Sequence, residues 1–243
     1  MSVETELTWH PTEDYLAQSR LLAFARANGV DDYQGLQDWS SSDPGDYWDA
    51  AVRDLGLVFE PGYDRPVDMS RGKEWPEWFP GAGFDYVANI FALAERRGAA
   101  NELAVIWEGD GGDTRSLTFA QLQAETNRFA NALENLGVAK GDRIGIFLPM
   151  IPETVVAVLA CGLVGAIYIP MFSGYGAEAV ASRLRACDAK LLITANGFTR
   201  RGKFVPLKET ADAAMSAASS VETCIVLDQT HAPTHMQEGR DRW

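Results

Sequence analysis

The 243-residue chain carries 34 acidic against 21 basic residues, a net charge of −13 at pH 7, with 47% hydrophobic and 23% charged residues. That length can bury a core in one large domain or two modest ones, and the composition is that of an ordinary soluble globular protein. The acidic balance excludes generic nucleic-acid binding and docking on an anionic membrane, both of which need basic faces. The longest apolar run, 154–168, is too short and too broken by glycine to span a bilayer.

The charge is unevenly spread. Residues 1–85 hold 17 acids and 6 bases, whereas the remaining 158 hold 17 and 15. Five of the seven tryptophans (Trp9, Trp39, Trp48, Trp75, Trp78) also fall in the first 85 residues, so two differently composed regions meet near Phe84. The opening residues MSVETELTWH have neither a basic stretch nor an apolar core, and no secretory signal is expected. Cys161, Cys187 and Cys224 lie in or beside apolar segments without metal-like spacing. They are expected to be buried, reduced thiols of a cytoplasmic protein.

In the first region the spacing predicts a helix over 15–27, stopped by Asn28-Gly29. A second helix starts at Ser42-Asp43-Pro44, with Tyr47, Trp48, Ala51, Val52 and Leu55 on one face and Gly56 at its end. Residues 61–80 hold four prolines and two tryptophans, and read as an extended segment laid over a neighbouring surface. Packing is preferred to a ligand cage for these aromatic residues. No repeat or low-complexity segment occurs.

The second region is regular. A helix is expected over 84–96, ended by Gly98, and strands over 103–107 and 116–119 around an acidic turn, 108–113. That turn lacks the length and the distal Glu of a calcium-binding loop, and reads as a hairpin turn. Thr118 and Gln121 have capping-box spacing before a helix with Leu122, Phe129, Leu133 and Leu136 on its buried stripe, closed by Gly137. Strands follow over 143–148, 167–171, 191–195 and 224–228, alternating with helices from Pro152 to 163, over 177–187 and over 207–218. Such alternation predicts an α/β fold, a doubly wound, mostly parallel sheet with flanking helices, preceded by the helical and irregular Trp-rich leader.

Ligands of such sheets bind beyond the carboxyl ends of the strands. Three loops occupy such ends: Pro149, then Phe172 to Gly176, then Asn196 to Lys203. Gly174 and Gly176 would let a ligand approach the backbone, and the helix after Gly176 presents free N–H groups to an anion. From 183 to 208 there are seven basic residues and one acid, Asp188, and the stretch includes the turn Arg200-Arg201-Gly202-Lys203. A basic island in an acidic chain fits a phosphorylated ligand, because Arg grips phosphate in bidentate fashion and Lys adds a point charge. A solvated basic turn is the other reading of the same residues. His231 and His235 are separated by Pro233 and have no third ligand, so they read as loop residues, not a metal pair.

The string from Gly141-Asp142-Arg143 through Pro149, Pro152-Glu153, Ala160-Cys161, Gly165-Ala166, Phe172-x-Gly174 and Ala177-Glu178-Ala179 resembles the N-terminal part of AMP-forming acyl-CoA synthetases. Within the adenylate-forming superfamily it is most similar to the acetyl- and propionyl-CoA synthetase branch. The match continues in Ile193-Thr194-Ala195-Asn196, the basic turn, Pro206-Leu207-Lys208, Ile106-Trp107-Glu108 and Leu117-Thr118-Phe119. The detailed similarity covers about 84–228.

The resemblance implies a two-step ligase. A carboxylate and ATP give an acyl-adenylate and pyrophosphate with Mg2+ present, and coenzyme A then takes the acyl group and releases AMP. It implies that Arg200, Arg201, Gly202 and Lys203 contact the 3′-phosphate end of CoA. Phe172, Ser173 and Gly174 correspond to a Phe-Gly-Gly near the CoA adenine. Ser173 for glycine, and Lys203 where arginine is usual, are departures. The Ser/Thr/Gly-rich phosphate loop, the adenylate motif, the ribose-binding Asp, the hinge and the catalytic Lys do not occur in this sequence.

The chain is therefore expected to be an N-terminal fragment without catalytic or metal residues. Residues 1–83 would be the acetyl-CoA synthetase-type leader, and 84–243 the first part of the large AMP-binding domain. Its partners would be the carboxylate, ATP, CoA and the missing remainder of the enzyme, with no nucleic acid and no membrane. A half-domain of this kind is expected to expose an apolar face. The alternative is a stand-alone CoA- or nucleotide-binding module. A nicotinamide-dependent oxidoreductase fits the fold alone and lacks Gly-x-Gly-x-x-Gly after the first strand.

Overall fold

The computed structural model describes residues 8–243; the opening residues read above for a secretory signal lie, up to residue 7, outside the described residues. Two compact units divide after Phe84.

In the first unit Thr12, Ser19, Asp32 and Asp43 each accept a hydrogen bond from a free N–H at the start of a helix. They open α1 (Glu13–Ala17), α2 (Arg20–Ala27), α3 (Tyr33–Ser42) and α4 (Pro44–Leu55) respectively. The single helix expected over 15–27 is thus two, because Ser19 accepts from the Leu22 N–H and starts a new one. Helix α3 is absent from the sequence reading. Leu36 is its one buried residue, so it has no apolar stripe to find.

Phe24, Ala25, Leu36 and Ala50 form a small core, on which Trp39 stacks against Phe24 at 5.9 Å. Strands β1 (Val67–Asp68) and β2 (Glu77–Trp78) pair antiparallel. Phe59, Tyr63, Phe79 and Phe84 make a second aromatic cluster, with neighbouring centroids 4.8–5.3 Å apart. The proline-rich segment does not bury its tryptophans: Trp75 is 67% and Trp78 41% exposed. The two clusters are filled by other rings, and a pair of two-residue strands has no face with which to cover an indole. Trp48 and Leu55 of α4 are likewise exposed, and Ala50 and Val52 take the buried face.

The second unit opens with α5 (Tyr86–Arg96), capped by Asp85, and the hairpin β3 (Leu103–Glu108) and β4 (Thr114–Thr118). Thr118 and Gln121 close a full capping box at α6 (Phe119–Asn135). Then follow β5 (Arg143–Phe147), α7 (Pro152–Val164), β6 (Ile167–Pro170), α8 (Ala177–Ala186) and β7 (Leu191–Ala195). A short hairpin, β8 (Phe198–Arg200) and β9 (Lys203–Val205), precedes α9 (Leu207–Ser216), β10 (Thr223–Leu227) and β11 (Asp241–Arg242).

Five strands form one parallel sheet in the order β11-β10-β7-β5-β6. The chain steps from β5 outward to β6 and then back past β5 to β7. Right-handed crossovers therefore put α7 and α8 on opposite faces, the doubly wound arrangement. Ile144, Phe147, Leu184, Leu191 and Leu192 are fully buried in the main core, each contributing roughly 1.5–3 kcal/mol. Helices α8 and α9 pack together on that core. Gly145 in β5 has no room for a side chain, since a Cβ would lie 2.8 Å from Leu184 and Met171.

Helices α6 and α7 leave an open, mainly apolar cavity of about 310 Å³ against β7 and β10, lined by Phe129, Val156, Ile193, Ile225, Leu227 and Trp243 among others.

The stretch after β10 is held by buried charge. Lys208 Nζ, 2% exposed, lies 2.7 Å from Asp212 Oδ1 and 2.8 Å from Asp241 Oδ2, and donates to the His235 carbonyl at 3.0 Å. Arg240 pairs with both Asp212 and Asp241. Burial by itself raises the Asp241 pKa. Hydrogen bonds from Arg240, Lys208 and the Gln237 N–H outweigh it and hold the carboxyl at about 2. Among the described residues no helix is long and apolar enough to cross a membrane.

Candidate functional site

The order of the sheet reverses between β5 and β7, and the loops beyond their carboxyl ends converge there. Asn196, 3% exposed, organises this end. Its Oδ1 accepts from the N–H groups of Gly197 (2.9 Å), Gln229 (3.0 Å) and Thr230 (3.2 Å), and its Nδ2 donates to Asp228 Oδ1 at 2.8 Å. One buried amide thus ties the loop after β7 to the loop after β10. Gly197 must be glycine, because a Cβ there would lie 2.4 Å from the Phe204 ring and 2.7 Å from the Val205 carbonyl. Its absence lets the β8–β9 hairpin fold back over the strand end. On the other side, Trp107 Nε1 donates to the Met150 carbonyl at 2.7 Å, pinning the β3–β4 hairpin to the loop after β5. Arg115 adds an ion pair to Glu153.

These loops enclose a cavity of about 560 Å³. Phe172, Ser173 and Arg200 line it, with Pro149 and Met150 on the β5 side, Thr199 on the hairpin, and Glu108, Asp110 and Asp113 opposite. The Arg200 guanidinium carbon stands 5.6 Å from the centroid of the Phe172 ring, a cation–π contact worth about 0.5–1 kcal/mol at an exposed site. Phe172 meets Tyr175 edge-on at 5.7 Å, and Arg183 lies over Tyr175 at 4.4 Å. Gly174 is required beneath this stack, since a Cβ would come within 2.5 Å of the Phe172 ring.

The basic turn is the tip of the β8–β9 hairpin, with Arg200 and Lys203 as the last pair. Arg201 (φ 52°) and Gly202 (φ 71°) are both left-handed, the two-residue turn that follows the twist of the strands. The Gly202 N–H donates to Asp110 Oδ2 at 3.0 Å. All four turn residues are exposed. Of the seven residues expected at the site, Phe172, Ser173 and Arg200 line the cavity and Gly174 underlies Phe172. Arg201, Gly202 and Lys203 are not among the lining residues.

The acidic turn was legible only as a hairpin turn. Its place beside the basic tip rests on a contact between residues 92 positions apart. Nothing in the sequence signals that contact beyond the opposite charge of the two turns.

Cys161 and Cys224 are buried, and burial pushes both thiols up to about 12. His231 Nδ1 lies 2.9 Å from Asp228 Oδ2, holding that carboxyl below its ordinary value. Among the described residues no group of three or more His, Cys, Asp or Glu side chains could hold a metal ion.

Two family profiles match the chain: "AMP-binding enzyme" over residues 92–242, and "Acetyl-coenzyme A synthetase N-terminus" over 33–90. Among curated relatives, the acetyl-coenzyme A synthetase of Gemmatimonas aurantiaca is 37% identical over 97% of this chain and 35% of its own length. That of Streptomyces avermitilis is 40% identical over 81% of this chain and 30% of its own length. Among solved structures, the acetoacetyl-CoA synthetase from Streptomyces lividans superposes with a TM-score of 0.86 at 26% identity, covering 96% of this chain and 36% of that one. The chain spans about a third of the length of the curated relatives it matches. With a profile that accounts for more than half of its residues and a fold shared with a solved acyl-CoA synthetase, the chain belongs to the AMP-binding enzyme family.

Proposed function

We propose that the chain is part of an AMP-forming acid–thiol ligase that activates a short carboxylate, acetate foremost, and that it supplies the surface on which the nucleotide end of CoA rests. In the reaction the carboxylate oxygen attacks the α-phosphorus of ATP and expels pyrophosphate. The CoA sulfur then attacks the acyl carbon, the carbon–oxygen bond to AMP breaks, and the thiol proton is lost. Residues 1–83 correspond to the leader, and 84–243 to the opening part of the large AMP-binding domain. The relatives' names and the two profiles support this reading.

One observation supports the CoA role most: Phe172, Ser173 and Arg200 line a single cavity beyond the strand ends at the reversal point of the sheet. Phe172 offers a flat apolar face for the adenine, already stacked under Arg200. Arg200, Arg201 and Lys203 gather three positive charges around the Gly202 N–H for the 3′-phosphate. Gly174 keeps Phe172 in place, and Ser173 borders the cavity. Magnesium would accompany ATP, but the described residues form no group of three side chains to hold it, and no role is assigned to them there. The three unpaired cysteines support a reducing, cytoplasmic setting.

The activity is tested on the full-length parent by carboxylate- and ATP-dependent pyrophosphate release; no release with any short- or medium-chain acid overturns the ligase reading. The CoA role is tested by calorimetry of this chain with CoA and with dephospho-CoA. CoA is expected to bind more tightly, and equal affinities would remove the role given to the basic turn.

A further inference from the structure

The cavity that receives Phe172 and Arg200 has the wrong sign for a phosphate. Arg200 is the one cation among its lining residues, against Glu108, Asp110 and Asp113 of the acidic turn. The three acids are not a metal site, since no such group forms among the described residues. One of them does something specific. Asp110 Oδ2 accepts from the Gly202 N–H at 3.0 Å, in the middle of the basic tip. The left-handed pair Arg201 and Gly202 exposes that N–H at the turn, and a backbone donor so presented is a natural site for an anion. The acidic turn holds itself in position: the Gly109 N–H donates to the Asp113 carbonyl at 2.7 Å and the Gly112 N–H to the Gly109 carbonyl at 3.0 Å. Asp110 is thus carried on a formed turn, with its carboxylate oxygen at that backbone donor.

We infer that Asp110 is an internal competitor for the 3′-phosphate of CoA: its carboxylate holds the Gly202 N–H and opposes incoming negative charge, setting how strongly the basic turn retains that phosphate. The inference rests on the CoA reading of the basic turn. Dephospho-CoA lacks the group with which Asp110 competes, so Asp110 acts on the discrimination between the two ligands.

The test is calorimetry of the 243-residue chain and its Asp110→Ala, Asp110→Asn and Arg200→Ala variants, with CoA and dephospho-CoA each titrated to millimolar concentration. Asp110 is exposed on a turn, and circular dichroism verifies that each variant is folded. Asp110→Ala is expected to bind CoA about three- to tenfold more tightly, the net scale of one hydrogen bond at a surface. Asp110→Asn, which keeps an acceptor without the charge, should fall between it and the unmodified chain. Dephospho-CoA should change by less than about twofold. If Arg200→Ala weakens CoA binding while both Asp110 variants leave it unchanged or weaker, the basic turn keeps its role and the competition by Asp110 is overturned. If CoA and dephospho-CoA bind equally to every chain, or CoA binds none of them, the CoA reading itself fails and this inference with it.

Discussion

Gly174 and Phe172 show how one missing methyl group shapes a surface. A Cβ at Gly174 would meet the Phe172 ring at 2.5 Å, and the ring, being a side chain half exposed to solvent, would swing away from it. The cost to folding should stay within about 0.5 kcal/mol, as for other surface changes. The cost to the site should be larger, because Arg200 loses the ring beneath it. Gly174→Ala is therefore expected to leave the urea midpoint unchanged and weaken CoA binding about two- to fivefold. Calorimetry that finds full affinity would separate the Phe172 stack from ligand binding. The cysteines make a second prediction at this scale. With thiols pushed up to about 12 by burial, Cys161 and Cys224 present almost no thiolate at pH 8. Iodoacetamide followed by mass spectrometry should mark half-buried Cys187 first, and label on Cys161 or Cys224 in the native chain would contradict their burial.

Among the elements, α9 and the stretch from 235 to 242 depend on each other through Lys208, Asp212, Arg240 and Asp241. The Asp241 carboxyl is depressed to about 2 from an ordinary value of 3.8. A depressed acid contributes stability that is fully present above its unfolded pKa and is lost as pH falls through the folded one. Stability should thus decline between about pH 4 and pH 2, by on the order of 2 kcal/mol from this group. Asp241→Asn should flatten that part of a pH series of urea unfolding curves. Lys208→Ala should cost about 1–3 kcal/mol at pH 7, because Asp241 keeps Arg240 as its cation but loses the buried Lys208 ammonium, and the His235 carbonyl loses its donor.

Helix α7 offers a purely steric counterpart. A Cβ at Gly162 would lie 2.6 Å from Tyr86 Oη and from a Val87 methyl of α5. Gly162→Ala should cost about 1–3 kcal/mol by overpacking, despite the better helix propensity of alanine; a more stable variant would show that α5 has room to move.

For the whole molecule, the open cavity between α6, α7, β7 and β10 presents apolar side chains of the second unit to solvent. The native chain is expected to enhance the fluorescence of an apolar dye, and Trp243→Ala, which removes a 64%-exposed ring from that lining, to reduce it. No enhancement would mean that the surface is covered in solution. Periodicity made the large features of this unit legible. The strand over 191–195 and the capping box at Thr118 and Gln121 stand where the residues place them, because buried strands and helix ends leave local signals. The elements that escaped have none. Helix α3 buries one residue, β11 is two residues long, and β8 and β9 are three each. The exposed Trp48, Trp75 and Trp78 escaped for the opposite reason: an indole signals burial that a small unit had no remaining core to provide.

The sequence by itself determined that this is an α/β chain with a Trp-rich acidic leader, three loops at strand ends and one basic turn, since each follows from local spacing and composition. Only the tertiary structure decided that Phe172, Ser173 and Arg200 line one cavity, and that Asp110 faces the basic tip. Those neighbours are set by the crossover order of the sheet and the folding of one hairpin over Gly197. Contacts across 28 and 92 residues follow from packing and chain path, which no local pattern encodes.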